Sequence, residues 1–404
     1  MLFAIAWRNI WRNKTRSLII MASIALGLLG GIVASSVSYG MADQMMKSSI
    51  QTRISHLQLH HPRFVEDRDL KYPIAAADSV VAFLRGRPNV AGVSARIVTA
   101  GMAASPQTAT GVELRGVDPA AEDAVSAVPQ SMVEGSWFDS DKRNPAVIGD
   151  DLAQKLGVDI GSKIVFTFQD ASGTITGGAF RVTGLFSTVS SSFDKMTVFV
   201  RDRDLGPLLA AAGETYEIAV LLDNMRATDT IAAALRAEYG QLRVRTWRNL
   251  APELEYMTET MDQMLYIFMA VIVLALAFGI INTMLMVVLE RVRELGMLMA
   301  VGMKRGRIFA MIMLETVFLS MTGAGTGMLL SIAAIAALGR TGIDLSLFAQ
   351  GLHEFGMAEI LYPSMRLSMY PILALMMIAT AVASSIYPAL HALRLRPADA
   401  LRMN

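Results

Sequence analysis

The 404 residues include no cysteine, which excludes disulfides, thiolate nucleophiles and cysteine-ligated zinc together. No Gly-Lys dipeptide occurs either, so the GxxxxGK[ST] loop that cradles nucleotide phosphates is missing from these residues. There is no G-x-S-x-G elbow and no Ser-His-Asp arrangement, and we expect no catalytic residue. Charge of neither sign dominates: 36 basic residues against 35 acidic leave +1, with no electrostatic footprint for nucleic acid. Apolar residues, by contrast, are abundant. Their share is 53%, above the roughly 45–50% of soluble domains even with glycine counted. The 28 methionines add flexible, polarisable side chains suited to adaptable apolar surfaces.

The apolar excess sits in long runs. A membrane span needs about 20 mostly apolar residues, and four segments qualify: 18–40, 265–289, 308–338 and 370–390. The first is long for the apolar stretch of a cleavable leader, so we read it as a span. Basic residues near the span ends set the orientation. Arg8, Arg12, Lys14 and Arg16 precede the first span, Arg291, Arg293, Lys304, Arg305 and Arg307 lie between the second and third, and Arg394, Arg396 and Arg402 follow the fourth. An even number of spans puts all three groups on one side, expected to be the cytoplasm, with both termini there. Residues 1–17, with Trp7 and Trp11 among arginines, read as a cytoplasmic interfacial amphipathic helix, and 391–404 as a cytoplasmic tail.

Residues 41–264 contain no span, and 339–369 form a shorter external loop. Strands are expected near Ile54–Leu59, Val90–Val98, Lys163–Gln169, Phe180–Phe186, Met196–Val200, Glu217–Leu222 and Leu242–Thr246, and helices at Ala76–Arg85 and Ala227–Glu238. A strand–helix–strand pattern over 54–98 recurs over 217–246. The pattern predicts a split α+β domain around a β-rich insert at about 107–212. Asp170–Gly173 reads as a hairpin turn. The fold class is therefore a membrane α-helical protein, one span plus three, with a large α+β domain between the first and second. Met41–Arg53 and Pro252–Met264 have no internal glycine or proline and are expected to prolong their spans as helical stalks.

From Glu290 the chain reads ERVRELGMLMAVGMKRGRIFAMIMLETVFL. This stretch resembles the loop between the second and third spans of the FtsX/MacB-type ABC permease family. The pattern E-R-x-R-E-[IL]-G-x-L-x-A-x-G falls on Glu290, Arg291, Arg293, Glu294, Gly296, Leu298, Ala300 and Gly302, and is followed by Lys304, Arg305 and then Glu315 in the next span. Met299 departs from it, standing where the family more often has Lys or Arg. Tyr387-Pro388-Ala389, Ala392 and Arg396–Arg402 resemble the closing motif, and Glu134–Phe138 with Val147–Gly161 resemble the β-rich insert. The long external loop and the text around His60–Pro62 and Arg115–Pro119 look most like the lipoprotein-releasing Lol-type members.

The resemblance implies a permease subunit without enzymatic activity or cofactor of its own. ATP and Mg would be bound by a separate ABC ATPase dimer, whose motion enters through a coupling helix at 290–307 and reaches the external domain by mechanotransmission. A second permease chain, identical or related, is implied, as are membrane lipids and a lipoprotein or amphiphilic substrate. The location would be the inner membrane, with the large domain periplasmic. Alternatives within the family are MacB-like efflux of amphiphilic peptides or drugs and FtsX-like control of a periplasmic hydrolase. The acids Glu290 and Glu294 are unnecessary for membrane anchoring and are expected to serve docking to a partner.

Other residues stand out on their own chemistry. Glu315 falls about 12 Å into the third span, where an ionisable group is costly and needs a partner; Asn282 or Thr283 are candidates. Met41, Met45 and Met46 after the first span, and Met257, Met261 and Met264 before the second, are candidates for an apolar substrate path or for plain stalk packing. Gly27-x-x-x-Gly31 and Gly323-x-Gly325-x-Gly327 permit close helix contacts. His56, His60 and His61 have no acidic neighbour in sequence, and no metal is expected.

Overall fold

The computed structural model describes residues 2–138, 142–354 and 357–394; the Arg396–Arg402 motif lies outside them. The chain forms two compact units: Met1–Ala42 with Thr258–Asp344 and Ile360–Asn404, and Asp43–Met257 with Leu345–Glu359.

The first unit is helical. An amphipathic helix, Leu2–Arg12, is followed by long helices at Lys14–Ser49, Pro252–Glu290 and Arg305–Thr341, and by Met369–Arg394. Four of these are long and apolar enough to cross a membrane. Each outlasts its apolar run. The helix Lys14–Ser49 would measure about 54 Å at 1.5 Å per residue, nearly twice the hydrocarbon thickness of about 30 Å. No glycine or proline interrupts Met41–Ser49 or Glu253–Met264, so nothing ends either helix at the apolar boundary.

Small residues let the helices approach. A Cβ on Gly323 would stand 2.9 Å from the backbone oxygen of Met21, and one on Gly327 2.8 Å from that of Ala25. Gly27 and Gly31 receive the side chains of Leu276 and Ile272. Lipid tails are as apolar as leucine, so such packing, rather than removal from water, holds spans together. Ile24, Leu28, Ile32, Val273, Ile312 and Leu319 fill the core between them.

The second unit is built on one sheet of ten strands among the described residues: β1 (Leu57–His60), β2 (Val90–Ala104), β3 (Ala109–Val117), β4 (Met132–Gly135), β5 (Pro145–Gly149), β6 (Lys163–Gln169), β7 (Ile175–Phe186), β8 (Thr197–Arg201), β9 (Glu217–Leu222) and β10 (Arg243–Thr246). The recurring strand–helix–strand segments interleave as β10-β1-β9-β2, antiparallel throughout. Their helices, Ala77–Arg85 and Thr228–Glu238, bury Val80, Leu84, Ala232 and Leu235 against Leu57, Leu59, Val93 and Val220.

The insert closes on itself. Strand β2 pairs with β3 and β6, β3 with β8, β8 with β5, β5 with β7, and β7 with β6, so six strands form a barrel that leaves no edge among them. The fifteen-residue β2 serves both halves: its first part pairs β9, its second β3. Alternation along β6 drives Ile164, Phe166 and Phe168 into the barrel core with Phe180, Val182 and Val198. The β6–β7 hairpin turns at Asp170, whose carboxylate accepts from the Ser172 and Thr174 amides.

A charged knot sits inside this unit. Arg96 on β2 is fully buried and donates to Glu122 and Glu217, all at 2.7–2.8 Å, while Ser94 donates to Glu122. Burial would raise the Glu217 carboxyl, but the Arg96 charge overrides it and holds it below the usual carboxylate range.

A candidate coupling segment in the helical unit

The segment 290–307 is not one helix. The long helix Pro252–Glu290 stops at Arg291, which leaves helical geometry at φ −99 and ψ 14. A nine-residue helix, Val292–Ala300, follows, and the next long helix starts at Arg305. The short helix ends in a Schellman turn: Gly302 N–H donates to Met299 O and Met303 N–H to Leu298 O, with Gly302 at φ +97. Only glycine adopts that φ without strain.

The short helix has two faces. Val292, Leu295 and Gly296 are buried, and Leu298 and Met299 pack on the core of the helical unit. Arg293, Met297, Ala300, Val301, Lys304 and Arg305 are exposed, Val301 to 88%. Met299, the departure from the family pattern, therefore lies on the inward side.

Ion pairs tie the segment to distant parts of the chain. Arg12 of the first helix donates to Glu294, and Arg16 to Glu290. Arg291 donates to Glu294 at 3.0 Å and to both oxygens of Glu315 at 3.0 and 3.1 Å. Asn9 lines the same small cavity as Arg12, Arg16, Arg291 and Glu315. Burial would raise the Glu294 carboxyl, but hydrogen bonds and charge from Arg291 and Arg12 hold it below the usual range. The hydrogen bond from Arg16 does the same for Glu290.

Glu290 and Glu294 are engaged within the chain by basic residues some 280 positions earlier, with 43% and 39% of their side chains still exposed. One expectation is corrected by this geometry. The partner of Glu315 is Arg291, not Asn282 or Thr283: Thr283 donates to the backbone of Gly279, and Asn282 is exposed. Arg12, Arg16 and Asn9 escape sequence reasoning, since topogenic charge already explains two of them.

At the other end of the bundle Tyr39 donates to Asp262, which also accepts from Arg366 at 3.2 Å; that guanidinium lies 5.3 Å from the Tyr39 ring centre. The six methionines have differing surroundings. Met45 and Met46 pack against Ile50, Ile54, Trp247 and Leu254, Met41, Met257 and Met261 are half-buried, and Met264 is exposed. The His56 ring accepts from the Leu222 amide, while His60 is buried against Gln58 and the Tyr216 carbonyl.

Two family models match the sequence: the MacB-like periplasmic core domain over residues 17–238 and the FtsX-like permease C-terminal over residues 266–397. The lipoprotein-releasing system transmembrane protein LolC of Xylella fastidiosa is 23% identical, covering 97% of this chain and 95% of that one. The macrolide export ATP-binding/permease protein MacB of Shigella sonnei is 22% identical over 98% of this chain and 59% of its own length. Among solved structures, the periplasmic region of MacB from Actinobacillus actinomycetemcomitans aligns with 54% of this chain and 97% of that chain, at 10% identity and TM-score 0.36. With more than half of its length matched by the MacB-like core domain and its last spans by the FtsX-like permease model, the chain belongs to the FtsX/MacB-type ABC transporter permease family.

Proposed function

We propose that the chain couples a separate ATPase to motion of its β-sheet unit, and that the short helix Val292–Ala300 is where the ATPase docks. The observation that carries this reading is the two-faced helix itself. Its inner face is packed, and the chain from Glu290 to Glu294 that leads into it is ionically tied to Arg16, Glu315 and Arg12, while Arg293, Met297 and, just beyond its end, Val301, Lys304 and Arg305 stand exposed. A push on that face is passed to three helices at once, because each ion pair ends on a different one. The uninterrupted helices Lys14–Ser49 and Pro252–Glu290 then carry it along the chain without a flexible joint.

The twelve basic residues flanking the spans support a cytoplasmic face for this segment and both termini, with the β-sheet unit periplasmic. ATP and Mg belong to the partner, since no phosphate-cradling loop occurs in these residues. The complex would pair two ATPase chains with two permease chains. For the cargo, end-to-end alignment with LolC favours release of lipid-modified proteins from the inner membrane. Export of amphiphilic small molecules is the second reading, supported by MacB relatives of similar identity over nearly the whole chain. Purification from native membranes in mild detergent, followed by mass spectrometry, separates them. A co-purifying ATPase with lipid-modified proteins supports release; an ATPase with a periplasmic adaptor moves the function to export; absence of an ATPase overturns the coupling role.

A further inference from the structure

A polar cleft opens in the β-sheet unit beside β1 and β10. It consists of an inner cavity of about 210 Å³ and an outer one of about 820 Å³, with Val65 and Arg245 in the walls of both. Seven arginines line them against three glutamates. Three of the seven are paired with carboxylates. Arg68 and Arg115 converge on Glu113 at 2.9 and 2.8 Å, and Arg248 pairs with Asp229 at 3.0 Å and Glu255 at 3.5 Å. Glu217 is already engaged by buried Arg96.

The other four, Arg53, Arg236, Arg243 and Arg245, have no carboxylate within 4.0 Å among the described residues. Arg236 and Arg245 donate only to backbone carbonyls, of Val244 and Asn249. Arg245 is crowded by its own kind: burial, with the charges of Arg68 and Arg243, pushes its guanidinium below the ordinary range. Like charges held together without a counter-charge destabilise a fold. Arg245 is half-buried while Arg53, Arg236 and Arg243 are exposed, so an anion in the cleft would counter chiefly the crowded charge of Arg245 and its neighbour Arg243. Planar guanidinium forks match phosphate oxygens two at a time, and the surface of the inner cavity is mainly polar.

We propose that this cleft binds a phosphate-bearing anion, held chiefly by Arg243 and Arg245 with Arg53 at the inner end and Arg236 at the outer. The shared chemistry admits two sources, an anionic phospholipid headgroup or a soluble phosphate. The site goes beyond the coupling role and needs no ATPase, so the two readings fail separately.

The test is calorimetric titration of the purified full chain in a neutral detergent at fixed ionic strength. The probes are inorganic phosphate, dihexanoyl phosphatidylglycerol and zwitterionic dihexanoyl phosphatidylcholine. Saturable binding of phosphate or phosphatidylglycerol is expected, with phosphatidylcholine at least about tenfold weaker. Tighter binding of phosphatidylglycerol than of phosphate identifies the lipid as the source; equal or weaker binding identifies the soluble anion. Arg243→Ser/Arg245→Ser should weaken binding by about tenfold or more, while the surface pair Arg85→Ser/Arg226→Ser should leave it unchanged. If the serine pair fails to fold, Arg243→Lys/Arg245→Lys keeps the charge but loses the forks, and a several-fold loss is expected. No saturable binding, or undiminished binding in the Arg243/Arg245 variants, overturns the proposal.

Discussion

Replacing Glu315 by Leu removes one half of a buried ion pair and leaves Arg291 without its main counter-charge. Glu315 is 5% exposed, and Arg291 reaches both of its oxygens at about 3 Å. Breaking such a pair from one side costs about 3–5 kcal/mol, because the remaining charge is stranded. Arg291→Met strands Glu315 in turn and also loses the bond to partly exposed Glu294, worth at most about 1 kcal/mol more. The double variant Arg291→Met/Glu315→Leu removes both charges. Its cost should fall well below the sum of the two, because neither charge is left buried alone. The assay is denaturant unfolding of the purified chain in mixed micelles, read as a double-mutant cycle. A coupling energy of about 2 kcal/mol or more is expected. Additive losses would show that the pair is not an energetic unit. ATPase stimulation separates structure from transmission: a double variant that is stable yet uncoupled supports a relay through Arg291.

Four further outcomes follow from local geometry. Gly302→Ala forces a side chain onto φ +97 and should destabilise by about 1–2 kcal/mol, seen as a lower melting temperature. Gly323→Ala drives a Cβ against the Met21 backbone and should cost about 1–3 kcal/mol, whereas Gly325→Ala meets open space and should be neutral; thermal aggregation of the two checks this. Stability should also depend on pH in two opposite steps. Burial raises the Asp194 carboxyl to about 6, so it disfavours the fold above that pH and the penalty, up to roughly 3 kcal/mol, is relieved as pH falls from 6 toward the ordinary 3.8. Burial would raise Glu113 too, but Arg115 and Arg68 hold it at about 2, so its contribution is present above pH 4.5 and lost as pH falls toward 2. Asp194→Asn should abolish the first step in a pH-resolved unfolding series and leave the second.

The spans were legible because a long apolar run has few other uses, and β6 because its alternation is strict. The split α+β pattern was legible from its recurrence at the two ends of the domain. Strands β3, β4 and β5 were not. The first carries glycines and charges in ATGVELRGV, and the other two are four and five residues long, so only pairing with distant strands defines them, within the closed barrel for β3 and β5 and along β7 for β4. The coupling segment was readable as a motif but not as a geometry. Nothing in ERVRELG says that Arg291 turns back to Glu315, or that Glu290 and Glu294 are spent on Arg16 and Arg12, because those contacts join residues far apart in the chain. The same holds for the arginine cleft, assembled from positions 53, 68, 115 and 236–248. Each arginine alone reads as a solvated surface charge, and only the fold shows which of them lack a carboxylate.

The most direct test of the coupling role uses the absence of cysteine in the chain. Val301→Cys places a single thiol just past the short helix, at a position 88% exposed, where a photoactivatable maleimide has no other thiol of this chain to react with. Illumination of native membranes should yield one dominant adduct, to an ATP-binding protein, which changes in yield when ATP is trapped. A probe at Val301 that captures no such protein, while one on Ile175 of the β-sheet unit does, would contradict the account.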